Sequence, residues 1–143
     1  MSGFSIQNIK KLVYNILIED VTLKALLGGT ENIFHFHPRQ PSDIAYPIIV
    51  YNILGIEDGI YDADRNADIN RVSLNFDIFS SETSTKEADD ITDRIYALLH
   101  SQVISDDNVL VYTCFRVFQD ESFDETAQCW RINTRYEITN TGK

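Results

Sequence analysis

A chain of 143 residues carrying a formal charge of −10 is long enough for one hydrophobic core and reads as a single domain over residues 1–143. Such a surface repels phosphate backbones and anionic membranes, and no basic run offsets it, which argues against specific nucleic-acid or membrane binding. No stretch approaches the ~18 apolar residues of a membrane span, and MSGFSIQNIKK lacks the apolar core of a signal peptide, so the chain is expected to stay in the cytoplasm where it is made.

Ile6, Ile9, Leu12, Val13, Ile16 and Leu17 recur at three- and four-residue steps. They predict an amphipathic helix over 5–18 with Ser5 as its N-cap. Asp20 caps a shorter helix bearing Val21, Leu23, Leu26 and Leu27, which Gly28-Gly29 ends. Asn32 to His37 reads as a short strand stopped by Pro38 to Pro41. Pro47 opens PIIVYNILGI, a β-branched and aromatic run that fits a strand buried on both faces, or one whose second face meets a partner.

From Asn70 to Phe79 the chain alternates. Val72, Leu74, Phe76 and Ile78 fall on one face, with Arg71, Ser73, Asn75 and Asp77 on the other, a half-buried strand. The two strands predict a long antiparallel hairpin across the acidic connection. Ser84 and Glu87 form a capping box ahead of a helix striped by Ala88, Ile91, Ile95, Leu98 and Leu99. Asp89, Asp90, Asp93 and Arg94 face water on that reading. Val109 to Gln119 and Cys129 to Ile138 flank the turn-like DESFDET. The natural solution is an α+β fold: about four antiparallel strands, helices packed on one face, and a long β-hairpin extension.

The connection DADRNAD poses a chemical question, because Asp62, Asp64 and Asn66 alternate as calcium-loop ligands do. An EF-hand then needs glycine at the sixth position and glutamate at the twelfth; Ala67 and Ser73 stand there, between strands rather than helices. The segment reads as a solvated hairpin tip. His35 and His37 share a strand side without a third ligand at telling spacing. Gly28-Gly29-Thr30 lacks the lysine of a phosphate loop, and no G-x-S-x-G elbow occurs. His100 falls at a helix C-terminus, where an imidazolium complements the dipole. Cys114 and Cys129 read as buried thiols. No catalytic, metal or cofactor residue emerges, so the chain is not expected to be an enzyme.

Several patterns together resemble the tail completion, or tail terminator, family of long-tailed phages and prophages. They are DVTLKALLGG at Asp20 to Gly29, AYPIIVY at Ala45 to Tyr51, NFDIFS at Asn75 to Ser80, and the helix Ala88 to Leu99 ending IYALL. A final acidic hairpin completes the likeness over residues 5–138, although Asp120 to Thr126 lacks the glycine that the family often carries there.

The resemblance implies a structural protein of the virion tail and neck, assembled in the host cytoplasm. Its subunits form a ring, generally a hexamer, that caps the tail tube and joins it to the head connector or stopper protein while DNA passes through. The expected contact surface is the outer face of the Pro47 to Ile56 strand and the hairpin beyond it, through Tyr51, Ile53, Glu57, Asp58, Tyr61, Asp62, Asp64, Arg65 and Asp68. The competing reading is a stand-alone α+β module that binds a ligand or protein without catalysis.

Overall fold

The apolar spacing at the start of the chain yields a helix, α1 (Ile6–Glu19), which buries Ile9, Leu12, Val13 and Leu17. The computed structural model describes residues 6–29, 32–35, 46–58, 69–107 and 109–142. The expected Ser5 cap, His37, the Pro38 to Pro41 stop and Tyr61, Asp62, Asp64, Arg65 and Asp68 lie outside the described residues. Asp20 caps α2 (Val21–Leu26) by accepting the Leu23 amide at 2.8 Å. At the other end Gly28 (φ 78°) and Gly29 (φ 82°) donate their amides to the carbonyls of Ala25 and Lys24. A side chain at either position would strain this left-handed backbone.

Asp20 also holds a distant helix, α3 (Lys86–Leu99). Arg94 donates Nε and a terminal nitrogen to its two oxygens at 2.8 and 2.6 Å. Arg94 therefore ties α3 to α2 and does not simply face water. The Arg94 hydrogen bond, helped by the Leu23 amide and opposed by partial burial, holds the Asp20 carboxyl below its usual value. A depressed carboxylate stabilises the fold above the unfolded value, near pH 4, and that contribution disappears as pH falls through the lower folded value. Asp20→Asn should therefore melt below wild type at pH 7, and the gap between the two should narrow towards pH 2–3. A gap that widens on acidification would contradict the pairing.

The helix α3 begins differently from its sequence pattern. Its N-cap is Thr85, which makes no side-chain cap bond, so the expected Ser84–Glu87 box does not form. Ser80 instead donates its hydroxyl to Glu87 at 2.7 Å, drawing the first turn to the end of the preceding strand. Its apolar stripe is seated as the spacing requires, with Ala88, Ile91, Ile95 and Leu99 buried.

The strands are β1 (Ile33–His35), β2 (Ile48–Asp58), β3 (Ile69–Ser80), β4 (Ile104–Ser105), β5 (Val109–Asp124) and β6 (Cys129–Gly142). They order as β1-β2-β3-β6-β5-β4, with β1 parallel to β2 and the other pairs antiparallel. This corrects the expected fold class. The molecule is mostly β, a curled mixed sheet with few helices, and not a four-stranded antiparallel sheet with helices packed on one face. Six strands fall among the described residues. Two physical reasons stand behind the difference. β4 is too short to carry a pattern, and the parallel register of β1, Ile33 opposite Ile49, leaves no mark on local spacing.

Both faces of the sheet centre are also covered. Val72, Leu74, Phe76 and Ile78 are fully enclosed against the helices. On the opposite face Ile48, Val50, Phe79 and Cys129 make a second apolar cluster. Beside it Asn75 and Asp77 are only 6% and 9% exposed, where alternation alone assigned them to an open face. The final hairpin also differs from its expected form. β5 runs through the acidic segment to Asp124, and the turn is residues 125–128. Asp124 accepts the amides of Thr126 and Ala127 at 3.0 and 3.1 Å. Gln128 takes the left-handed conformation (φ 54°) at which glycine is favoured.

Candidate assembly surface

Burial decides against cysteine chemistry. Cys114 is enclosed, and desolvation pushes its thiol up to about 12, so it stays protonated and inert at neutral pH. Among the described residues no three His, Cys, Asp or Glu side chains could hold a metal, and no helix is long and apolar enough to cross a membrane. His35 lies beside Tyr51, ring centres 5.4 Å apart; desolvation, and then Lys10, lower its pKa. At His100 the ring Nδ1 accepts the Arg116 amide at 3.0 Å and the ring stacks on Tyr96, centres 4.2 Å apart.

The features that stand out are on the sheet surface. Register shifts occur between Ile53 and Gly55 in β2 and between Arg116 and Phe118 in β5. Each bulge leaves one residue outside the ladder, and those residues, Leu54 and Val117, are 49% and 56% exposed. They line one groove of about 250 Å³ that crosses β3 and β6, with Phe118, Arg135 and Glu137 at its sides. The Arg135 guanidinium lies over the Phe118 ring at 4.9 Å. Arg71 and Glu137 approach to 3.9 Å across the neighbouring strands. Exposed apolar groups rimmed by charges suit a protein contact better than a small polar ligand.

Further along the same face of the strands runs a polar ladder. Asn133 donates to Asn75 at 2.6 Å and to Asp77 at 2.9 Å, Asn75 donates to Asn52 at 3.0 Å, and Arg131 donates to Asp77 at 3.0 Å. The ladder crosses β2, β3 and β6. A one-residue slip would leave its buried amides without partners, so it fixes the register that positions the groove.

The profile of the family described as tail completion protein gp17 matches residues 11–140. The chain belongs to that family. Membership identifies a structural protein of the phage tail and places it in the virion. A chain from a structure titled "Virion of native gene transfer agent (GTA) particle" shares the fold with a TM-score of 0.79 at 15% identity. The match covers 95% of this chain and 96% of that one. No curated protein matches the sequence.

The residues expected at a subunit contact fall into three groups. Tyr51 is 5% exposed and packs against His35 and Phe76 in the core. Ile53 is partly buried against the same core. Glu57 and Asp58 extend β2 opposite Arg71 and Asn70, and the remaining five lie outside the described residues. Leu54 and Ile56 belong to the strand expected to meet a partner but were not singled out, and the exposed Val117 and Phe118 were not expected there. The adjacent apolar pair Val117-Phe118 breaks strict alternation after Arg116, and that break was the available signal.

Proposed function

We propose that the chain is a ring subunit that closes the finished tail tube and joins it to the head connector. Its partners are then further copies of itself, most simply six in all, the tail tube protein and the connector or stopper protein. The observation that carries this reading is the family match across residues 11–140. The near end-to-end fold likeness to a chain of a phage-like particle supports it. The role is structural and non-enzymatic, and the charge of −10 lets DNA pass a ring without adhering. Contacts between subunits use the β2 surface and the β2–β3 connection, through Ile53, Glu57, Asp58, Tyr61, Asp62, Asp64, Arg65 and Asp68, with Tyr51 supporting them from the core.

The test is in vitro joining. Lysates lacking this protein should accumulate unjoined heads and tails, and the purified chain should restore joined, infectious particles. A variant lacking residues 58–67 should melt as wild type does yet fail to join. Normal joining in the lysate without the protein would overturn the role. Full activity of the shortened variant would overturn this use of the connection.

A further inference from the structure

Strands β2, β3, β6 and β5 are each antiparallel to the next. Four alternating strands leave β2 and β5 running in opposite directions. Copies standing the same way round, as ring subunits do, therefore bring β5 of one beside β2 of the next in the antiparallel sense.

Both strands have a stretch free to pair. β1 covers only Ile49 to Tyr51 of β2, and among the described residues nothing pairs with the outer edge from Asn52 to Ile56. The edge of β5 is covered further along. β4 pairs with Leu110 and Val111, the Ser101 amide donates to the Cys114 carbonyl, and His100 takes the Arg116 amide. From Phe118 to Asp124 the described residues offer this edge no partner, and every residue there is exposed. Within it the Glu121 amide is held only along its own strand, by the Asp120 carboxylate at 2.9 Å. The open stretches extend about 16 Å and about 23 Å at strand spacing, enough for a ladder of several bonds.

The two stretches share one register level and run away from it in opposite directions. Asn52 is level with Phe118 through Asn75 and Arg135, Ile56 is level with Cys114 through Val72 and Ile138, and Asp124 pairs with Cys129 at the hairpin end. Neighbours that use both must meet staggered along the strands, and a repeated stagger is what closing tilted strands into a barrel requires. Asp120, Glu121 and Asp124 along the free β5 edge guard against indiscriminate pairing.

We infer that the β5 edge at Phe118–Asp124 of one copy pairs antiparallel with the β2 edge at Asn52–Ile56 of the next, making one sheet continuous across the subunit boundary. This rests on the ring reading and specifies its contact. Two variants test it, with assembly followed independently by sedimentation and by binding to tail ends. Glu121→Pro removes an amide whose partner is only the Asp120 side chain, so it should melt near wild type and remain monomeric. The pair Leu54→Cys with Ser122→Cys, two positions on the groove face of the sheet, should oxidise to a ladder of trimers and larger species, while each single variant stays uncross-linked. Native Cys114 and Cys129 are buried and give no background. Should Glu121→Pro unfold, the cysteine pair decides alone. Assembled rings that fail to cross-link, or a folded Glu121→Pro that assembles as wild type, would overturn the edge pairing and leave the ring reading standing. A wild-type chain that is monomeric in solution and absent from tail ends would overturn both.

Discussion

Replacing Ile95 with alanine is expected to destabilise the protein by roughly 2–5 kcal/mol. Ile95 is completely enclosed on the inner stripe of α3, where the helix meets β3, β5 and β6. Deleting three carbons there loses their transfer energy and leaves a cavity that a tightly packed sheet cannot fill. Asp93, one turn face away, is exposed, and Asp93→Ala should fall within about 0.5 kcal/mol of wild type. Urea denaturation of the two variants measures the difference. Similar midpoints would mean that α3 does not pack as described.

The second large effect is expected at Asp77. Its carboxylate accepts from Arg131 and from the buried amide of Asn133, and Asn75 approaches it at 3.4 Å. Asp77→Ala leaves those amide donors enclosed with fewer acceptors, at a cost of about 1–3 kcal/mol. Arg131→Ala should cost less, under about 1 kcal/mol, because its side chain is 44% exposed and water screens the ion pair. If the two variants lose stability equally, the ladder is an ordinary surface ion pair and does not set the register.

Legibility in the sequence followed the range of the interaction. The Asp20 cap and the Gly28-Gly29 terminus were readable because each depends on neighbours within a few positions. The inner faces of β3 and α3 were readable because burial imposes periods of two and 3.6 on successive residues. The Asp20–Arg94 pair joins positions 74 apart, and the Asn75–Asn133 bond joins positions 58 apart. No local pattern announces either. Asn75 and Asp77 were placed on an open face because a polar residue at an alternate position looks the same whether water or a buried amide satisfies it. The acidic segment around Asp120 looked like a loop for a related reason. Edge strands tolerate charge, so β5 could carry acids through to Asp124 without losing its pairing to β6.

The candidate contact surface was legible in outline only. Apolar Ile53 and the acids after it marked β2 as unusual. The exposed apolar residues Leu54 and Val117 owe their position to bulges that alternation cannot register.

Electron microscopy of tails completed with the purified chain tests most directly whether it closes the end of a tail as a ring. The account predicts one added ring of density at a single end of each tube, with rotational symmetry matching the tube and sheet density running unbroken between subunits. Tubes that show no added density, or that carry the protein along their whole length, would contradict it.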